Sequence, residues 1–262
     1  MSMKKTRSFR LSQLVIVALF GSATATFADD VPPNPTLRST QFPPVQRRIL
    51  EAIGDRLQKP GKEALTISAN LDSFSAGRRV RSSAVTLIWQ YPGLLRLDDS
   101  GASVVFDGTA VTKRGNALSQ QDSDLVESVV KDSPEGFLLG RFTGSRVQLI
   151  GEHYNIKDPR QGSPLVGQCT LLSVSEVNGV HGPNSKIEKT YCFDSATSLL
   201  KAVFYRDQND AVETRYSGWQ TVSGQVLPST VQRFRNNLPV LTLTFTQVTI
   251  SGKVSASVFQ LP

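Results

Sequence analysis

Two histidines and two cysteines are the side chains best suited to chemistry in this chain, and their placement permits little of it. His153 lies in GEHYNIKDP and His181 in the Gly/Pro-rich loop NGVHGPNSK. One is on a predicted strand and the other at a predicted hairpin tip, so they are not set to share a metal ion. Acyl transfer needs a nucleophile oriented against a base, and no G-x-S-x-G elbow presents one of the many serines. No Gly-rich phosphate loop follows a strand, which argues against a nucleotide cofactor. Asp98, Asp99, Asp122, Asp124, Asp207 and Asp210 fall in predicted turns or polar helices, where solvation explains them. Paired carboxylates for glycosidic chemistry depend on tertiary geometry. The expectation is a non-enzymatic protein with no catalytic residues, no metal and no cofactor.

Cys169 and Cys192 have no CxxC spacing and lie at equal distances from a loop midpoint near Val180 and His181. If their strands form a hairpin about that loop, the two fall opposite each other and a structural disulfide is expected in an oxidising compartment.

The elements that would carry these residues begin after an address. Lys4, Lys5, Arg7 and Arg10 precede an apolar run from Leu14 to Phe20 and then small residues, the order of a secretory signal peptide over residues 1–28, cleaved after Ala28. Its apolar run is too short to span a bilayer. Four of the 29 basic residues and none of the 22 acids lie within it, so a formal charge of +7 falls to +3 in the mature chain. Arg47-Arg48, Arg78-Arg79-x-Arg81 and Arg233/Arg235, with aromatics in VFYRD and TRYSGW, superficially suit single-stranded nucleic acid. Export and the near-neutral mature charge argue against that partner.

Residues 29–42 are rich in Pro and polar residues and read as an extended leader; residues 43–262 read as one domain. Val45, Ile49, Ala52, Ile53 and Leu57 recur at helical spacing before Pro60-Gly61; a polar helix with an apolar seam at Leu125, Val129 and Val130 is expected to end near Pro134, and a short one to follow around Phe137–Phe142. Elsewhere the period is two. Leu65, Ile67, Ala69 and Leu71 alternate, as do Val85, Leu87 and Trp89, and Leu241, Leu243 and Phe245 opposite a Thr face. Strands repeated without intervening helices predict a mainly β fold: a single curved antiparallel sheet forming an unclosed β-barrel, covered by two to three helices. Leu87, Trp89, Leu95, Leu97, Phe106, Leu149, Phe204 and Trp219 are the candidates to face inward. They fill a packed core or line an apolar cavity able to hold acyl chains, alternatives that sequence leaves open.

The stretch SSAVTLIWQYPGLLRLDDSGASVVFDGTAV, with Pro92, Arg96, Asp107 and Gly108 as anchors, resembles the strand–turn–strand pattern of the outer-membrane lipoprotein carrier superfamily. YSGWQTVSGQVLPSTVQRF, with Gly224 and Pro228, and the closing Phe259 resemble its late strands, so the likeness spans most of residues 43–262. The resemblance implies a periplasmic, non-enzymatic protein holding lipid or lipoprotein acyl chains in an apolar interior, as a carrier toward the outer membrane that touches membranes only peripherally. Relatives of this kind also imply an alternative, an envelope regulatory or assembly protein that binds a protein partner through a sheet edge or lid. A hydrolase in the same cavity is a further alternative. Carriers place an Arg immediately before the Pro, where it helps latch the lid. Tyr91 holds that position here and Arg96 lies nearby, which makes both candidate lid-contact residues.

Overall fold

Alternation of apolar and polar residues builds the first half of the molecule. In the computed structural model the described residues are 63–90, 94–107, 110–115, 129, 132, 146–157, 164–176, 187–207, 209–222 and 224–261. Strands β1 (Glu63–Ser75), β2 (Arg78–Gln90), β3 (Leu94–Asp99), β4 (Ala102–Asp107) and β5 (Val111–Arg114) follow one another as an antiparallel meander. Every second side chain of β1, from Leu65 to Leu71, is buried, because successive side chains point to opposite faces. Two-residue turns join β1 to β2 and β3 to β4. Ala76-Gly77 and Ser100-Gly101 all have positive φ, the backbone twist that matches two right-twisted strands. The Asp107-Gly108 anchor begins the β4–β5 turn, where Asp107 Oδ1 accepts from the Ala110 amide at 2.9 Å.

The second half comprises β6 (Arg146–Lys157), β7 (Pro164–Glu176), β8 (Ile187–Asp194), β9 (Leu200–Asp207), β10 (Asp210–Ser217), β13 (Thr230–Arg235) and β14 (Leu238–Gly252). A separate small hairpin, β11 (Gln220–Val222) with β12 (Gln225–Leu227), turns through Gly224 at φ +84°. The large sheet runs β5-β4-β3-β2-β1-β14-β13-β10-β9-β8-β7-β6. Its centre is therefore the pairing of the first strand with the last, Leu71 opposite Leu243 and Ile67 opposite Val248. Twelve strands laid flat would span roughly 50 Å, and sheets of this size curl. One buried cluster accordingly joins Leu97 and Phe106 of the first wing to Leu172 and Phe193 of the second.

Two expectations are corrected. The sheet is not a barrel: it ends at β5 and β6, which do not pair. Edge β5 is a four-residue strand in which Thr112, Lys113 and Arg114 are exposed, and short charged edges resist further pairing. Nor, among the described residues, do two or three helices cover it. Among the described residues the one helical element with defined ends is a four-residue 3-10 helix, Ala256–Phe259, with Ser255 as its N-cap. Of the expected helix ending near Pro134, Val129 is described in helical conformation and packed into the buried cluster, and Asp132 is described in a turn. The expected helices at 45–57 and 137–142, the signal peptide and the leader lie outside the described residues.

Cys169 and Cys192 are joined, with Cα atoms 5.3 Å apart. The β7–β8 register sets Cys169 against Asp194 and Leu171 against Cys192, so the cysteines meet on a diagonal rather than directly opposite. They pack with Leu171, Ala202 and Phe204 in a small second cluster. Closing a loop of this length contributes about 3 kcal/mol in the chain-entropy model.

Candidate functional site: the inner face of the sheet

The inner face is built strand by strand from the same period of two. Leu65, Ile67 and Leu71 of β1 stand beside Val85, Leu87 and Trp89 of β2, then Leu95 and Leu97 of β3 and Val104 and Phe106 of β4. Register places Leu87 opposite Leu97, Trp89 opposite Leu95, and Leu95 opposite Phe106, so large side chains meet large ones across each ladder. The second wing adds Tyr191, Phe193, Leu200, Val203, Tyr216 and Val231, with Leu241 and Leu243 at the centre.

Polar groups interrupt this face in two places. Near the end of β3, Asp99 is 3% exposed, ion-paired with Arg81 and hydrogen-bonded by Ser83 Oγ at 3.0 Å. In the second wing Lys189 Nζ donates to Asp132 Oδ1 at 2.7 Å, both side chains being buried. Tyr216 Oη donates to the Asp132 carbonyl at 3.1 Å, and Arg233 Nη2 donates to Tyr205 Oη at 2.6 Å. The ammonium of Lys189 also lies 5.3 Å from the Tyr205 ring centre. Asp132 Oδ2 and Thr214 Oγ1 are buried with no hydrogen-bond partner among the described residues. A charge taken out of water must be paired to be tolerated, so this cluster ties residue 132 to β8 and β10.

The opposite face is different in kind. A cleft of about 590 Å³ opens there, lined by Ser68, Asn70, Thr86, Arg96, Asp98, Arg114 and Thr246 among others. Arg96 Nε grips both oxygens of Asp98, at 2.8 and 2.9 Å, and Arg96 Nη1 donates to the Val258 carbonyl at 3.0 Å. The 3-10 helix thus lies against β3 and β4, and Phe259 is buried there, as is Val105, outside the inner cluster. Arg96, expected at a lid, is seen holding the C-terminal segment.

Of the residues expected to face inward, Leu87, Trp89, Leu95, Leu97 and Phe106 are brought together in the inner cluster, and Trp219 packs against it half-buried. Trp219 stands 6.4 Å from Tyr216, ring to ring, and its Nε1 is buried without a partner. Phe204 is on the other side, against the disulfide. The backbone of Leu149 pairs with Leu172, while its side chain and the whole of Tyr91 lie outside the described residues. Sequence reasoning missed Lys189, Tyr205, Thr214 and Arg233. The signal for Lys189 was available: it continues the Tyr191/Phe193 alternation, so a cation occupies an inward position. Among the described residues no three His, Cys, Asp or Glu side chains gather as metal ligands would.

Solved structures share the overall fold of this open antiparallel sheet. A DUF1329 family protein from Desulfovibrio piger matches with a TM-score of 0.50 at 11% identity, over 84% of this chain and 98% of that one. A protein from Vibrio parahaemolyticus, described as an outer membrane lipoprotein-sorting protein domain, matches with a TM-score of 0.50 at 8% identity, over 81% and 94%. A LolA superfamily protein from Nitrosomonas europaea has a TM-score of 0.47 at 11% identity, over 82% and 97%. No family model and no curated protein sequence matches the chain. At these identities what the chain shares with the first two structures is their fold.

Proposed function

We propose that the protein is a periplasmic binding protein that holds lipid, or the acyl chains of lipoproteins, against its inner face and carries them toward the outer membrane. The observation that carries this reading is the continuity of that face: both wings contribute aromatic and aliphatic side chains to one cluster, including Trp89, Phe106, Tyr191 and Phe193. Apolar surfaces of this extent, with a few polar groups at fixed points, are how proteins bind hydrophobic ligands. The fold shared with a lipoprotein-sorting protein domain supports the same reading. The signal-peptide pattern of residues 1–28 supports the compartment, and the Cys169–Cys192 bond fits it, since such bonds persist outside the reducing cytosol.

Fully buried positions such as Leu87 and Leu97 are poor probes, because a charge there would unfold the sheet. The half-buried Trp219 and Phe245 are better. The chain has two tryptophans, Trp89 and Trp219, both in or against the inner cluster, so a brominated fatty acid bound there quenches tryptophan fluorescence. Quenching that weakens in Phe245→Glu, with the fold intact by circular dichroism, is the expected result. No quenching, together with no lipid in extracts of the purified protein, would sink the reading.

A further inference from the structure

We propose that the β1–β2 and β13–β14 hairpin tips together form a surface that docks on an anionic phospholipid bilayer. The two tips are neighbours because β1 pairs with β14: Ser73 stands opposite Leu241, and a Cβ placed on Gly77 would lie 3.7 Å from Leu238 Cδ2. Both are two-residue turns with positive φ at each position, Ala76-Gly77 and Asn236-Asn237, so they project as rigid points.

Their exposed side chains are the wrong ones for a merely solvated turn. Val80 is 65% exposed and Leu238 50%, and Ala76 is exposed at the tip itself. Val80 is also aimed by the backbone. Ser73 pairs with Arg81 and Phe74 with Arg79, leaving Val80 as the unpaired residue of a β-bulge, a device that redirects a side chain. Ala76 adopts φ 48°, where Asn is the favoured non-Gly residue, as at the neighbouring tip. An apolar methyl is kept there against the local preference.

Cations flank these groups. Arg79 is well exposed and ion-pairs with Asp72 at 3.6 Å, while among the described residues Arg78 makes no ion pair. Arg81 and Arg235 are already neutralised, by Asp99 and by Asp207 with Asp210. The cation left without a carboxylate among the described residues, Arg78, therefore sits beside the exposed aliphatic groups, with the well-exposed Arg79 next to it. Two convex points form no groove for a peptide, and neither exposes an aromatic ring for a base to stack on. A fluid anionic bilayer accepts isolated aliphatic side chains at any spacing and attracts the arginines beside them. This inference does not depend on what the inner face binds.

Co-sedimentation with vesicles of equimolar phosphatidylcholine and phosphatidylglycerol tests it. Wild-type protein is expected to bind these vesicles, more weakly as salt rises, and to ignore vesicles of phosphatidylcholine alone. The double variant Val80→Asp/Leu238→Asp should lose about tenfold in partitioning, equivalent to about 1.4 kcal/mol. Arg78→Ser/Arg79→Ser should lose the preference for the anionic lipid. Ile150→Asp, at the other exposed aliphatic position, should change nothing. Absence of wild-type binding, or equal binding by the Val80/Leu238 variant, would overturn the proposal. Tryptophan quenching in the same variants reports the inner face separately, and is expected to be unchanged.

Discussion

The two wings of the sheet are made by the same alternation and yet differ on their inner faces. In the first wing, β1 to β4, the inward positions are aliphatic or aromatic down to the Arg81–Asp99 pair at the end of β3. In the second, β8 to β10 and β13, inward positions include Lys189, Tyr205, Thr214 and Arg233, interleaved with Tyr191, Val203, Tyr216 and Val231. The first wing is a surface with one property, burial of apolar area. The second also has addressable polar groups, and what they hold in the described structure is Asp132. Strand periodicity thus sets which positions face inward, while the choice of residue at those positions divides one face into an apolar half and a tethering half.

The largest expected effect comes from breaking the tether. Lys189→Met leaves the Asp132 carboxylate buried and unpaired, and should cost about 3–5 kcal/mol of stability in urea denaturation. Adding Asp132→Leu should recover most of that loss, because the paired charges are removed together. In the first wing the same logic applies only at the Arg81–Asp99 pair, and the other inward positions are governed by packing. Leu97→Ala, fully buried opposite Leu87, should cost about 3 kcal/mol through the cavity it leaves, and no second polar substitution should restore it. A rescue of Leu97→Ala by a charge change, or none for Lys189→Met, would erase the distinction between the wings.

The smallest effect concerns the turn that joins β8 to β9. Burial raises the Asp194 carboxyl, but Lys201 and the amide and hydroxyl of Thr197 outweigh it and hold it at about 2, against an ordinary 3.8. A depressed folded-state value stabilises only while the carboxylate is ionised. The contribution is complete above 3.8 and disappears as the pH falls through about 2. Asp194→Asn should therefore flatten this part of the acid limb of a stability–pH profile, with little change in its shape near neutrality.

Legibility in the sequence followed the locality of the interaction. The meander of the first wing was readable because its strands are joined by short turns with apolar residues at every second position. β9 was harder. Val203, Phe204 and Tyr205 are three large apolar or aromatic residues in a row, so alternation cannot say which faces inward, and an irregularity between Cys192 and Phe193 in the β8–β9 pairing shifts the register. Phe204 consequently lies with the disulfide, and its two neighbours with the inner cluster. The cysteine pair was legible as a hairpin pair, while its diagonal offset was not, because a shift of two residues in register keeps every side chain on its own face and leaves the apolar pattern unchanged. Arg96 was visible as a polar residue in an apolar strand. Its partner at Val258 is 162 residues away, and nothing in either segment names the other.

What the sequence by itself determined is the strand-rich character, the alternation that gives each strand a dry and a wet face, and the scarcity of groups able to do chemistry. These are properties of neighbouring residues, and backbone geometry converts them directly into structure. Tertiary structure alone decided that the first strand pairs with the last, that the sheet stays open at β5 and β6, and that Lys189 finds Asp132. It also brought two distant turns together as one exposed tip. Each of these depends on pairings between residues far apart in the chain, whose register is set by the fit of whole strands rather than by any local pattern.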